Sequence, residues 1–433
     1  MKKNMISEFI SRCIGNEKAA LIYKKRGKFI NCSFNNFYFD CLRMKSFLEE
    51  NTSKEDNILV FSYPYSYLFY VAMFAGFMTG LNLVIFDSYN DNQKIKNMVE
   101  SSSCNKVLVD NYTRFLGYKL PNTLQKINIL NYKKYSCSTK GVNKDATITT
   151  FTSGTTGASK PIVRNLKFLE DQIELIKSNI KIESYDLVYG MLPMYTMLSL
   201  FLGNTTCICR DISRVYELNP TVLLTTIKSV LGLKKQLLSV KKCFLGGAIL
   251  YSKEAKKISG LLPNADINYV YGASEGALIY QTKLNKYICN SFSFDEKVSG
   301  VNVSIVDPNK DGIGEITISG STVISKDSYH YTGDYGKLVN NVLTIVGRKK
   351  YSSINDGFYN YLEDERIINE NPKLIKGFSF WYKGLKYVVY EGEISFRRDE
   401  YIYIKFKKLP MDSKHQTKLD YSRAIEKIAS YKS

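Results

Sequence analysis

The stretch Ser153-Gly154-Thr155-Thr156-Gly157-Ala158-Ser159-Lys160 packs hydroxyls, two glycines and one lysine into a single loop, directly after the β-branched run Thr147–Thr152. Gly154 and Gly157 permit positive φ and close approach of the backbone to a ligand. The loop therefore offers backbone N–H groups, hydroxyl side chains and the Lys160 cation, an inventory that suits a polyphosphate. It is not a Walker A loop, which has four residues between its glycines and ends in Lys-Ser or Lys-Thr. Here two residues separate Gly154 from Gly157, and Lys160 is followed by Pro161. A polyphosphate held here is held in another way. A Ser/Thr-rich surface turn uses the same residue types, so the loop alone does not decide.

Further stretches with chemical potential follow in order. They are Leu192-Pro193-Met194-Tyr195-Thr196, Gly246-Gly247-Ala248, Tyr271-Gly272-Ala273-Ser274-Glu275 and Gly314-Glu315-Ile316. Tyr331-Thr332-Gly333-Asp334 and Gly347-Arg348-Lys349-Lys350 come next, and the segment Leu409–Lys418 lies near the end.

The elements that must position these residues are legible from periodicity. Strands are predicted at Ile58–Ser62, Leu83–Phe86, Lys106–Asp110, Lys126–Leu130 and Thr147–Thr152, with helices at Ser66–Thr79, Asn92–Ser101 and Leu166–Ile180. Strand–helix alternation implies a parallel α/β sheet. After about residue 290 the texture becomes β-rich: Val301–Val306, Gly314–Ser319, Val342–Val346 and Ile402–Phe406 are strand-like, with Asp-Pro and Asp-Gly turns between them.

The 433 residues suffice for two or three domains. With 60 Lys plus Arg against 41 Asp plus Glu, the net charge of +19 attracts anions of many kinds. The charge is spread as pairs along the whole chain, which favours a compositional bias over a dedicated nucleic-acid surface. The nine cysteines are scattered without a Cys-x-x-Cys pair, which disfavours zinc and fits reduced thiols in a cytoplasm. His330 and His415 are the only histidines, so a Ser-His-Asp triad is disfavoured. No signal peptide is read at the N-terminus. Ile58–Phe86 lacks charge and is long enough to span a bilayer, but Pro64, Asn82, Gly76 and Gly80 interrupt it. It reads as strand, buried helix and strand, so no membrane span is expected.

The ordered set of motifs, from about residue 20 to the C-terminus, resembles the adenylate-forming superfamily: acyl- and aryl-CoA synthetases, peptide-synthetase adenylation domains and luciferases. The resemblance implies an α/β fold, with a large N-terminal domain of α/β sheets over residues 1–347, including a β-rich subdomain at about 290–347. It also implies a small, mobile α+β lid domain over 348–433. The implied activity is that of an acid–thiol ligase. A carboxylate is activated by ATP as acyl-AMP with release of pyrophosphate, then transferred to a thiol, either CoA or carrier-protein phosphopantetheine. Thr152, Ser153, Gly154, Thr155, Thr156, Gly157 and Lys160 are then expected around the β- and γ-phosphates. Gly247, Ala248, Tyr271, Gly272, Asp334 and Arg348 are expected around the rest of the nucleotide, with Asp334 and Arg348 at the ribose. Glu275 is expected to bind Mg²⁺, Ser274 to contact the α-phosphate, and Tyr195, Thr196 and Gly246 to line the acid pocket. Lys418, with Lys414 as its rival, is the expected catalytic lysine, and Lys350 the hinge.

The sequence also departs from that pattern. The unit after residue 350 is compact, and a helix usual there is expected to be missing. Thr196 stands where relatives often carry His or an aromatic residue. No Asp lies between Leu187 and Arg210 to hold an α-amino group, so an aryl, fatty or similar acid is favoured over an amino acid. The basic charge favours an acidic carrier protein as partner. The rival readings are a catalytically degenerate adenylate-binding protein and, less favoured, a basic nucleic-acid binder, which would bind any duplex with a steep salt dependence.

Overall fold

The computed structural model describes residues 5–61, 66–86, 92–110, 113, 120–143, 145–151, 160–190, 193–209, 212–290, 292–324, 328–354, 357–371, 373–395, 397–411 and 419–430. The chain divides into two compact units, Met1–Thr225 and Thr226–Ser433.

The first unit opens, after the helix Met5–Cys13, on the hairpin β1 (Ala19–Lys25) and β2 (Lys28–Ser33). Lys25 pairs with Lys28, and the two linking residues have positive φ, 48° at Arg26 and 83° at Gly27. This is the signature of a type I′ turn, whose first position favours Asn or Gly; an arginine there costs roughly 1 kcal/mol. Strands β3 (Asn57–Phe61), β4 (Asn82–Val84), β5 (Lys106–Val109), β6 (Gln125–Asn128) and β7 (Thr147–Phe151) form a parallel sheet in the order β6-β5-β3-β4-β7, as the alternation predicts. Strand β8 (Pro161–Asn165) closes the β7 edge in antiparallel pairing, Phe151 opposite Pro161.

The uncharged stretch becomes β3, the helix Tyr67–Thr79 and β4. Ser66 caps the helix by accepting from the Phe69 N–H, and Gly80 ends it in the left-handed region at φ 83°. Gly76 lets the helix approach the sheet, since a Cβ there would lie 2.8 Å from the Leu83 side chain. Residues Phe69–Met78 are all buried, which explains a helix apolar on every side. Among the described residues no helix is long and apolar enough to cross a membrane. On the same sheet Leu59, Val84, Val107 and Val109 pack with Ile95, Met98 and Val99 of the helix Asn92–Ser101, each buried side chain contributing about 1.5–3 kcal/mol. The buried Lys45 ammonium is satisfied by Glu49 Oε1 at 2.6 Å, Ser138 Oγ at 3.0 Å and the Lys140 carbonyl at 3.2 Å. Strands β9 (Leu187–Gly190), β10 (Thr205–Ile208) and β11 (Val222–Thr226) add parallel neighbours in the order β11-β9-β10-β1.

In the second unit β12 (Lys242–Gly246) and β13 (Asp266–Ala273) run parallel, and β14 (Ala277–Lys283) returns along β13. Beyond them lie β15 (Ser293–Phe294), β16 (Glu296–Lys297), β17 (Asn302–Val306), β18 (Gly314–Ser319), β19 (His330–Val339) and β20 (Val342–Arg348). Five of these form the antiparallel sheet β15-β20-β19-β18-β17, the predicted β-rich texture, while β16 pairs with β14.

The chain then forms the two-stranded ribbon β21 (Ser353–Ile354) and β22 (Gly357–Phe358), the helix Tyr361–Asn369, and the sheet β23 (Leu374–Tyr382), β24 (Leu385–Gly392) and β25 (Tyr401–Lys405). One sheet face, with Phe378, Phe380, Tyr387 and Val389, packs on Leu419, Ala424 and Ile428 near and within the helix Tyr421–Ser430. The helix Tyr361–Asn369 joins β23 through Asn369, which donates to the Gly377 carbonyl at 2.8 Å and accepts from its N–H at 3.0 Å. Strand β25 lies parallel to β24, and among the described residues no helix lies between Gly392 and Tyr401.

Glu365 is wholly buried on that helix. Its carboxylate accepts from the Tyr251 hydroxyl and, at 2.9 Å, from the Ser379 N–H. Burial lifts its carboxyl from 4.5 to about 8, against the opposing pull of these two donors. Between those values the folded chain keeps a proton that the unfolded chain releases. Stability should therefore fall as pH rises from about 4.5 to about 8 and level off above, by at most about 1.4 kcal/mol per pH unit from this group. Glu365→Gln is expected to remove this component, seen as a flatter dependence of urea-unfolding free energy on pH than in the parent protein. An unchanged slope would assign the proton to another group.

Candidate functional site

A carboxylate, a guanidinium and a phenol meet in the second unit. Asp334 and Arg348 sit opposite each other on β19 and β20, and Arg348 Nε lies 2.9 Å from Asp334 Oδ1. The other oxygen, Oδ2, accepts from the Tyr271 hydroxyl at 2.9 Å. Tyr271 arrives from β13, where the pairing with β14 shifts register between Tyr271 and Gly272. Burial, reinforced by the Asp334 charge, pushes the Tyr271 phenol well above its ordinary range, so it remains a proton donor. The Asp334 charge likewise raises the Arg348 guanidinium, against a smaller effect of burial.

Thr332 holds the cluster in place. Its hydroxyl donates to the Ile316 carbonyl at 2.9 Å and accepts from the Asp334 N–H at 3.2 Å, and its carbonyl accepts from Arg348 Nη1 at 3.2 Å. The Arg348 N–H donates to the Tyr361 hydroxyl at 2.9 Å. Thr332, Gly333 and Asp334 belong to strand β19. Gly333 at φ 72° and register shifts toward both neighbouring strands bend it there.

Ser274 and Glu275 occupy the tight connection from β13 to β14, where the Gly276 N–H donates to the Ala273 carbonyl at 3.2 Å. The Glu275 carbonyl accepts from the Ile324 N–H at 2.8 Å, and its half-buried carboxylate lies 3.7 Å from His330 Nε2. Gly246-Gly247-Ala248 ends β12. A Cβ on Gly246 would meet Val270 Cγ2 at 2.6 Å, Gly247 has φ 88°, and the Ala248 carbonyl accepts from the Tyr269 hydroxyl at 2.6 Å. Lys349 pairs with Glu315 at 2.6 Å, while the Lys350 ammonium lies 5.6 Å from the centroid of the Tyr351 ring.

In the first unit the loop residues Thr152, Ser153, Gly154, Thr155, Thr156 and Gly157 lie outside the described residues. Their flanks pair as β7 and β8, and Lys160 is exposed beside Pro161. The loop thus links two antiparallel strands, whereas a P-loop opens directly into a helix. Tyr195 and Thr196 lie on the helix Pro193–Phe201. Thr196 is fully buried and its hydroxyl donates to the Gly190 carbonyl at 3.2 Å; a Cβ on Gly190 would meet that hydroxyl at 2.4 Å. Lys414 and Lys418 also lie outside the described residues, between Met411 and Leu419, which pair in an isolated bridge.

Thr332, His330 and Tyr361 escaped the sequence reading. His330 had a signal, as one of two histidines and four residues before Asp334. Thr332 acts through its carbonyl as well as its hydroxyl, and Tyr361 meets Arg348 only after the chain has passed through the ribbon β21–β22, so spacing carries no sign of either.

The α/β sheets and the β-rich sheet share the adenylate-forming fold. The sequence profile of the AMP-binding enzyme family matches residues 15–326, and the chain belongs to that family. Solved structures share the fold at low identity. The o-succinylbenzoate coenzyme A synthetase MenE of Bacillus subtilis, in complex with AMP, matches with TM-score 0.81 and 16% identity over 96% of this chain and 97% of its own. ATP-bound MatB of Rhodopseudomonas palustris matches with TM-score 0.83 and 16% identity over 99% of both chains. The McyG A-PCP structure, complexed with phenylalanyl-adenylate, matches with TM-score 0.79 and 16% identity over 99% of this chain and 95% of its own. No curated protein sequence matches the chain.

Proposed function

We propose that the protein is an ATP- and Mg²⁺-dependent acid–thiol ligase, which activates a carboxylic acid as its acyl-adenylate and transfers the acyl group to a thiol. The observation that carries this reading is Asp334. Its two oxygens are each engaged by one donor, Arg348 and Tyr271, so each retains acceptor capacity for a further hydroxyl. A carboxylate fixed in that way suits the vicinal hydroxyls of a ribose. Arg348 extends beside it, toward the same sugar.

Glu275 provides a partly exposed carboxylate, an oxygen donor of the kind Mg²⁺ takes alongside phosphate oxygens. When bound, the ion supplies charge neutralisation across the phosphates. Ser274 is placed beside Glu275 to contact the α-phosphate. Gly247, Ala248, Tyr271 and Gly272 flank the nucleotide, and Tyr195, Thr196 and Gly246 belong to the acid pocket. Thr152, Ser153, Gly154, Thr155, Thr156, Gly157 and Lys160 hold the departing pyrophosphate. Lys418 bridges the carboxylate and the α-phosphate as negative charge builds between them. Residues 1–347 and 348–433 act as two domains, with Lys350 as their hinge.

The acid is aryl, fatty or similar. The MenE and MatB likenesses support a CoA-type ligase, MenE also being known in complex with ATP and magnesium ion, while McyG supports the carrier-protein alternative. The test is carboxylate-dependent exchange of labelled pyrophosphate into ATP across a panel of aryl and fatty acids. At least one acid is expected to support exchange and to leave an acyl-AMP visible by mass spectrometry. Silence across the panel, with no acyl-AMP, would refute the ligase reading.

A further inference from the structure

The first unit contains a cavity of about 960 Å³ that none of the described nucleotide or acid-pocket residues lines. It opens beside the β1–β2 turn and is walled by the start of the helix Tyr67–Thr79 and by residues after β6 and β10. Its charge is one-sided. Lys24, Lys25 and Arg26 stand on the hairpin, and Lys133 and Arg43 also line the cavity. Among the described residues Asp40 is its one acid, and three donors already engage that carboxylate: Tyr67 at 2.9 Å, Tyr132 at 3.1 Å and Arg43 at 3.0 Å. Among the described residues Lys24, Lys25, Arg26 and Lys133 form no ion pair. The cavity therefore carries a surplus of positive charge in a concave setting, which concentrates anions.

The walls add a second preference. The Tyr23 and Tyr67 rings stack with centroids 4.8 Å apart at 18°, and Phe39 is 41% exposed. Flat aromatic surface next to unpaired cations favours a ligand with a planar body and an anionic end. Arg26 holds its place at a backbone cost, since its φ of 48° lies where Asn or Gly is favoured. We propose that this cavity is a second ligand site, separate from the nucleotide residues, and that it takes a phosphomonoester carrying a flat ring. The phosphate meets the cations of the hairpin and Lys133, and the ring lies along the tyrosines.

The test uses the full-length protein and riboflavin 5′-phosphate as probe, because its fluorescence is quenched when the ring stacks on tyrosine. Saturable quenching is expected, with riboflavin, which lacks the phosphate, binding at least ~10-fold more weakly. Arg26→Asn places a favoured residue in the type I′ turn, so the variant should unfold at no lower temperature than the parent. Combined with Lys133→Gln it is expected to weaken probe binding at least ~10-fold, whereas Arg26→Lys should retain binding within a few-fold. Asp334→Asn should leave the probe's affinity unchanged, separating this site from the proposed ATP site. Absence of saturable quenching, equal affinity for riboflavin, insensitivity to the charge-removing pair, or loss of binding in Asp334→Asn would each overturn the proposal.

Discussion

Asp334→Asn is expected to raise the ATP concentration needed for half-maximal pyrophosphate exchange by about 100-fold, with a much smaller change in the maximal rate. A hydrogen bond to a charged acceptor contributes about 1.5–3 kcal/mol, so weakening two bonds to a ribose removes roughly 3 kcal/mol, or about two decades in binding. The substitution keeps the shape of the side chain but converts one oxygen into a donor. That donor faces either the Arg348 Nε at 2.9 Å or the Tyr271 hydroxyl at 2.9 Å. Tyr271 can rotate its proton away, whereas Arg348 has no acceptor to offer, so the amide should turn its oxygen to Arg348. Because Arg348 is partly exposed, the accompanying loss of stability should be no more than about 1 kcal/mol. A wild-type ATP dependence in a variant that still folds would remove Asp334 from the nucleotide site.

Lys418→Ala is expected to slow the first half-reaction at least ~100-fold while leaving ATP affinity within a few-fold of the parent. The reasoning is electrostatic. A carboxylate approaching a phosphate brings like charges together, and a cation located between them gains interaction energy as the bond forms. A group that acts only there changes the rate far more than the binding. Lys414→Ala is the paired control and should retain most activity. The reverse pattern would exchange the two assignments, and near-normal rates in both variants would place the catalytic cation elsewhere.

The parts of this protein that a reader of the sequence can place are those whose cause is local. The helix Asn92–Ser101 has a clear apolar face, Gly314–Ser319 is a bounded β run, and Ser66 caps the helix Tyr67–Thr79 within three residues. Strand β1 is less legible, because its parallel partner comes from a distant segment: it pairs with β10 nearly two hundred residues later in the chain. The site divides in the same way. Asp334, Arg348 and Tyr271 stand out through the glycines beside them. The groups that orient these three are a threonine carbonyl, a backbone N–H and a tyrosine from another element, none of which leaves a trace in residue type. Thr196 stands out by resemblance, yet its hydroxyl is taken up by the Gly190 carbonyl, a pairing that depends on how helix and strand meet.

The parallel pairing of β24 with β25 has a consequence for the edge of the C-terminal sheet. Residues 393–400 carry the chain from the far end of β24 back to Tyr401, which lies opposite Lys386. That return covers about 20 Å along the sheet at ~3.3 Å per residue, and the link reaches about 30 Å at full stretch. Two reversals of direction consume much of the difference. Sliding β25 two residues further back would ask for about 7 Å more, which the link has little slack to supply. The short connection therefore works as a gauge of register, limiting slippage of an outer strand at the position where sheets are most prone to it.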